Sequence, residues 1–193
     1  MQIPRKELKH FVKQIKRGLS SYYIQPIGNE VPFINIRDVS GGLIHSETVE
    51  TVKIKETAAL EKSRLEPKDI ILTAKGSAFK AAVASKDTKG YIISANLIAF
   101  TLNDEILPEL VVAFLNSPTG QNELHARSAG IAQKALNIRS VLEIKIPVPN
   151  INQQRKIADY LSSHQEYLMF TKKEAELREK IKNKIIAQYM GEA

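Results

Sequence analysis

The sequence contains no cysteine, which excludes a disulfide framework and any thiolate metal site. That absence fits a reducing cytoplasm, the expected location. No apolar run approaches the roughly 20 residues that cross a bilayer as a helix, so no membrane partner is expected. The opening stretch MQIPRKELKHFVKQIKRG has charge but no apolar h-region and does not read as a signal peptide. Also absent are a phosphate loop of the form G-x-x-x-x-G-K-S/T and a G-x-G-x-x-G turn after a strand. His10, His45, His125 and His164 lack close metal-ligand spacing. No Ser-His-Asp set or pair of working carboxylates can be argued, because the acidic residues cluster in the C-terminal stretch beside Lys and Arg at helical spacing. These absences favour a binding protein over an enzyme, without a metal or cofactor of its own.

What is present is a chain of 193 residues, 43% hydrophobic, long enough for one domain with a core plus an appendage. The formal net charge is +7. A basic balance favours polyanionic partners, since each Lys or Arg set against a phosphate releases condensed counterions. Arg5, Lys6, Lys9, Lys13, Lys16 and Arg17 face only Glu7 in the first 17 residues. Leu8, Phe11, Val12, Ile15 and Leu19 recur at helical spacing there, so residues 5–17 are expected to form a short helix with a basic stripe, stopped by Gly18.

A strand-rich region follows. VPFINIRDV alternates, with Phe33 facing inward, and Gly41-Gly42 makes a turn. Further strands are expected at 51–54, 69–74, 81–84, 91–94 and 96–102, separated by turn signals at Glu66-Pro67-Lys68-Asp69, Gly76-Ser77 and Lys89-Gly90. Asp69 is expected to accept backbone N–H bonds at its turn. PELVVAFLNS (108–117) changes to a helical period, 119–127 suggests a second helix, and IRSVLEIKIPVP returns to strand character. The expected fold class is α/β (α+β): a globular domain with a mixed sheet over residues 1–149, then one long C-terminal α-helix over 150–193.

The boundary lies in IPVPNINQQRKIADYL. Pro147 and Pro149 cannot donate to a β ladder, so the last strand must stop. Asn150 can cap a helix with Gln153 in the capping-box position; Asn152 is a rival cap. No proline or glycine follows until Gly191. Fully helical, 152–190 would reach on the order of 60 Å at about 1.5 Å per residue. Ile157, Leu161, Leu168, Ala175, Leu177, Ile181, Ile185 and Tyr189 form a drifting apolar stripe. Such a helix gains its stability by burial. Its length favours another chain as partner; folding back over its own sheet is the alternative.

Three segments, taken in order, resemble the specificity subunits of type I restriction-modification systems. VPFINIRDVSGGLI is similar to an early family segment, LEPKDIILTAKGSAFKAAV to one in which a Pro-Gly-Asp turn enters a strand and a Gly-Ser loop, and SAGIAQKALNIRSVLEIKIPVPNINQQRKIADYL to the passage leading into the family's helix. Three departures stand out: Lys68 and Phe79 replace common glycines, and Gln153 a common glutamate. The resemblance spans about Val31 to Met190. It implies a non-catalytic DNA target recognition domain with a spacer helix. The implied partners are double-stranded DNA, a methyltransferase (modification) subunit and a restriction/translocase subunit where the system has one. S-adenosylmethionine and ATP would be used by those partners. One recognition domain and one helix imply a half-subunit that pairs as a homodimer, packs its helices antiparallel and reads an interrupted palindrome. Met1 and the tail Gly191-Glu192-Ala193 look like natural ends. The alternative is an interaction protein that binds the methyltransferase partner and inhibits or redirects it.

Three loops are candidate DNA contacts. Arg37, Asp38 and Ser40 form the first: Arg suits guanine and Asp can accept from a cytosine amino group, although an Arg–Asp pair bracing the loop is the competing reading. Lys75, Ser77 and Lys80 form the second. Arg127, Gln133, Lys134 and Asn137 form the third, a capped loop on the sheet edge being its structural alternative. Lys86 and Lys89 would touch phosphate, adding affinity without sequence information.

Overall fold

The structure is a computed structural model and describes residues 3–55, 57–76, 78–129 and 135–190. The chain opens with β1 (Arg5–Glu7), a 3-10 turn and β2 (Val12–Arg17), then β3 (Ile24–Ile34), β4 (Val39–Ser40), β5 (Leu43–Ile44) and β6 (Glu50–Ile54). A short helix, α1 (Ala58–Ser63), precedes β7 (Ile70–Thr73), β8 (Ala81–Val83), β9 (Ile92–Ile93) and β10 (Leu97–Leu102). The remainder runs α2 (Pro108–Asn116), α3 (Pro118–Ala126), β11 (Ser128–Ala129), β12 (Ala135–Leu136), α4 (Ile138–Leu142), β13 (Lys145–Pro147) and α5 (Ile151–Met190). This is the mixed α+β architecture with a long C-terminal helix. It divides into two units, one ending at Gln154 and one starting at Arg155.

The main sheet has the order β2-β10-β7-β8, all antiparallel. All four residues of β7 are buried, as expected of a central strand covered on both faces. Alternation sorts its neighbours. Ile70, Leu72, Ile98 and Phe100 pack with Leu8, Phe11 and the apolar faces of α2, α3 and α4. Ile71, Leu97 and Ala99 pack on the opposite side with Ile34, Val39 and Leu65. A second sheet, β6-β3-β9, is mixed: β3 is antiparallel to β6 and parallel to β9. Phe33 faces inward there, with Leu19, Ile54 and Leu60.

Residues 5–17 are not a helix. Arg5–Glu7 pair with Pro147–Lys145, and Val12–Arg17 pair with β10. Tertiary pairing overrides the local period here: β10 gains its neighbour on that side, and Leu8 and Phe11 reach the core from the turn between the two strands. The basic stripe dissolves with the helix. Lys6, Lys9 and Lys13 pair with Glu105, Glu7 and Asp104, and Lys16 turns inward. Gly18 stops no helix. A Cβ on it would lie 1.8 Å from the Ser94 carbonyl oxygen, so it is a point of close backbone approach. Residues 138–142, read as strand, form α4 instead, because Asn137 caps them; strand geometry resumes only at Lys145. Sequence pattern also missed α1 and the long N-terminal run of β3.

Asp69 is fully buried. Oδ2 accepts from Lys16 Nζ at 2.7 Å and from the Glu66 backbone N–H at 2.8 Å; Oδ1 accepts from Thr101 Oγ1 at 2.6 Å. Its backbone-accepting role is as expected, but the buried cation was not foreseen. Lys68 beside it has φ 74°, the left-handed conformation that the third position of a Pro-initiated type II turn requires. A glycine at that place would avoid the Cβ penalty that Lys68 incurs.

The junction with α5 follows from two side chains. Asn150 Oδ1 accepts from the Gln153 N–H at 3.0 Å, and Gln153 Oε1 accepts from the Asn150 N–H at 3.2 Å. The capping box therefore forms with Gln in place of Glu. Gln154 is buried; its Nε2 donates to the carbonyls of Glu105 and Pro149, and its Oε1 accepts from the Leu107 N–H. No helix among the described residues is long and apolar enough to cross a membrane.

Two substitutions test this arrangement. Asp69→Ala leaves Lys16 buried without a counterion and is expected to lower unfolding free energy by about 3–5 kcal/mol, read as a drop in the urea midpoint. Lys68→Gly is expected to raise it by about 0.5–1 kcal/mol, read as a melting temperature higher by a few degrees.

Candidate nucleic-acid interface

The first predicted loop folds around a carboxylate. Asp38 is fully buried. It accepts from the Asn35 N–H at 2.8 Å and from Thr48 Oγ1 at 2.7 Å, closing a capping box over Ile36–Asp38. Both its oxygens are engaged inside the loop, where Asp38 acts as a brace. Arg37 stays more than half exposed, 3.7 Å from Asp38 and ion-paired with Glu50. The hydrogen bond from Glu50 raises the guanidinium pKa further above its already high value. Ser40 Oγ shares a 2.8 Å hydrogen bond with His45 Nε2, and His45 Nδ1 lies 3.3 Å from Glu47. Arg37 and Ser40 thus stand on a loop held from beneath by Asp38 and Thr48.

The second loop joins β7 to β8. Lys75 is exposed and its backbone bridges to Ala135. Gly76 follows in the left-handed region at φ 127°. Thr73 ties the return, its Oγ1 accepting from the Lys80 N–H at 2.8 Å and donating to the Ala78 carbonyl at 3.2 Å. Lys80 is half-buried. Ser77 lies outside the described residues. Phe79, the other departure from glycine, is buried against His125 with ring centroids 5.1 Å apart.

Gln133 and Lys134 of the third loop also lie outside the described residues. Arg127 acts within the fold: Nε donates to the Ser140 carbonyl at 2.9 Å, while Nη1 donates to the Glu123 carbonyl at 3.0 Å and pairs with the Glu123 carboxylate. It fastens the end of α3 to α4, which leaves it three-quarters buried and satisfied. Asn137 is exposed and caps α4, Oδ1 accepting from the Arg139 N–H at 3.0 Å. Lys86 is exposed; Lys89 pairs with Glu66 at 3.6 Å.

Of these residues, the structure brings Lys75 and Asn137 together. They line an open groove of about 470 Å³ with Arg17 and Arg139. A second groove of about 740 Å³ adjoins it, sharing Arg17, Gly18, Ala95 and Ile138 and adding Lys62 and Tyr23. Sequence reading did not include Arg17, Lys62 and Arg139, which line these grooves, among its candidates. Arg17 was assigned to the stripe of a helix that does not exist, Lys62 sits on the unforeseen α1, and Arg139 fell in a segment read as strand. The adjacent Asn137 was the available signal, since a capping Asn brings the following turn to the surface.

On α5, Ile157, Leu168, Leu177, Ile181, Ile185 and Tyr189 are between 40% and 78% exposed. Ala175 is exposed and Leu161 half-buried. Arg178–Glu174, Lys182–Glu179 and Lys172–Glu176 pair along the helix at spacings of three or four residues, the arrangement that supports an exposed helical face.

Among proteins of known kind, the chain is similar to the type I restriction enzyme EcoBI specificity subunit of Escherichia coli, with 23% identity over 145 residues, covering 74% of this chain and 31% of that one. Its fold matches the crystal structure of the type I restriction-modification system S subunit from M. genitalium (TM-score 0.63, 20% identity, 94% of this chain and 44% of that one). It also matches the HsdS subunit from Thermoanaerobacter tengcongensis (TM-score 0.62, 19% identity, 88% and 39%). The chain spans less than half the length of each. Residues 12–184 match the family described as type I restriction modification DNA specificity domain, and the chain belongs to that family.

Proposed function

We propose that this chain is the DNA-recognition component of a type I restriction-modification complex and reads one half of a bipartite site. The observation that carries the reading is the family match over residues 12–184, which takes in both the globular unit and most of α5. The surface chemistry agrees with it. Arg37 and Ser40 on a braced loop, and Lys75 and Asn137 at the groove, combine guanidinium, ammonium, hydroxyl and amide groups, the donor and acceptor types that meet base edges and phosphates. Lys80, Lys86 and Lys89 add to the positive charge of the globular unit.

The chain itself is non-catalytic in this reading. Base methylation with S-adenosylmethionine and ATP-driven cleavage belong to the methyltransferase subunit and, where one exists, the restriction/translocase subunit of a cytoplasmic assembly. The exposed stripe of α5, from Ile157 to Tyr189, joins a second copy antiparallel, so two globular units address identical half-sites. An isolated helix with that much apolar exposure gains stability when the stripe is covered.

Assembled with its methyltransferase subunit, the chain is expected to direct methylation to an interrupted motif with identical half-sites, mapped by sequencing of methylated adenines. Random methylation by an active assembly contradicts sequence recognition. Binding that inhibits the methyltransferase with no preference among DNA sequences favours the inhibitory interaction protein. Light scattering is expected to give a dimer that becomes a monomer when 155–193 are removed; a full-length monomer at high concentration rejects pairing through the helix.

A further inference from the structure

We infer that the joined grooves around Arg17 are a cradle for the sugar-phosphate backbone of DNA, held by Arg17, Lys62, Lys75 and Arg139. This rests on the DNA-recognition reading and assigns within it the contacts that give affinity as opposed to sequence information.

Position in the grooves together with ion pairing marks these residues: among the described residues, Arg5, Lys68, Lys80, Lys86 and Lys145 also form no ion pair with an acidic partner, but they line neither groove. Elsewhere on the globular unit, Lys6, Lys13, Lys16, Arg37, Lys53, Lys89 and Arg127 have an acidic partner. Among the described residues, the side chains of Arg17, Lys62, Lys75 and Arg139 have none. All four are exposed, and among the described residues no acidic one lines either groove. Unpaired cations lining one concavity repel each other, and an incoming polyanion relieves that repulsion while releasing its counterions.

The floor suits a backbone. Beside Leu97, Ile98, Leu136 and Ile138, its lining includes Gly18, Ala74, Ala95 and Ala135, whose side chains are no longer than a methyl group, and Gly18 packs closely on Ser94. Tyr23 and Ile15 add exposed apolar surface for sugar faces. The two concavities are continuous through Arg17, and the cations are spread among β2, α1, the β7–β8 loop and α4. A single small anion needs converging buried donors. Exposed cations dispersed along a shared groove suit a strand of phosphates.

The test is the salt dependence of binding, measured by fluorescence anisotropy with the full chain and two duplexes, one of random sequence and one carrying the methylated motif. Wild type is compared with the triple variant Arg17→Gln/Lys62→Gln/Arg139→Gln and with the charge-matched control Arg5→Gln/Lys6→Gln/Lys145→Gln. The groove variant is expected to lower the slope of log K against log salt by about 0.9 for each phosphate contact removed. It should weaken both duplexes by the same factor, with the control much closer to wild type. If the triple variant melts early, Lys62→Gln/Arg139→Gln alone must show the smaller, two-contact change. An unchanged slope overturns the cradle while leaving DNA recognition standing. An equal loss in the control overturns it in favour of bulk charge, and loss on the motif duplex alone makes the groove a reader. Failure of wild type to bind either duplex at about 50 mM salt overturns both readings together.

Discussion

The buried pair between Lys16 and Asp69 is the constraint on which the main sheet, and with it the proposed DNA-facing groove, depends. Asp69 precedes β7, Lys16 lies in β2, and Thr101, the third partner, lies in β10. One carboxylate therefore ties the strands that form three of the four positions in the main sheet. A buried charge tolerates little displacement, because separating it from its partner in a low-dielectric interior is expensive. Arg17 follows Lys16 directly, and Lys75 lies just past the far end of β7. The same pair thus sets the register of the strands that deliver both cations to the groove.

A division between bracing and presenting residues recurs. Asp38 is buried so that Arg37 and Ser40 stand on a fixed loop. Arg127 is spent on the carbonyls of α3 and α4, while Asn137 and Arg139 a turn away remain exposed. In each case a charged group that sequence chemistry alone would choose as a contact is consumed by the fold, and its neighbours face solvent. Gln154 plays the bracing part at the start of α5, where its buried amide hydrogen-bonds three backbone groups.

Much of the fold was legible because it depends on local chemistry. The buried strands β7, β8 and β10 are short apolar runs between turn signals, α2 begins on a proline, and the Asn150–Gln153 box marks the start of α5 from sequence alone. The N-terminal segment misled because Leu8, Phe11, Val12 and Ile15 fit a helical period, whereas their structure is decided by pairing with β10 and β13, far along the chain. That error hid the candidate groove. With Lys16 and Arg17 on an imagined solvated stripe, neither the buried ion pair nor the groove could be assembled. Family resemblance suggested the loops; burial and hydrogen bonding, which sequence does not show, engage Asp38 and Arg127 within the fold and leave Lys75 and Asn137 exposed. The Lys68 departure became meaningful once its φ was known.

Hydrogen exchange of the full chain with and without duplex DNA tests most directly the claim that the globular unit presents this groove to DNA. The account predicts DNA-dependent protection concentrated at residues 17–20, 62–64, 74–76 and 137–139. Protection confined to residues 155–190, or none at saturating DNA, contradicts it.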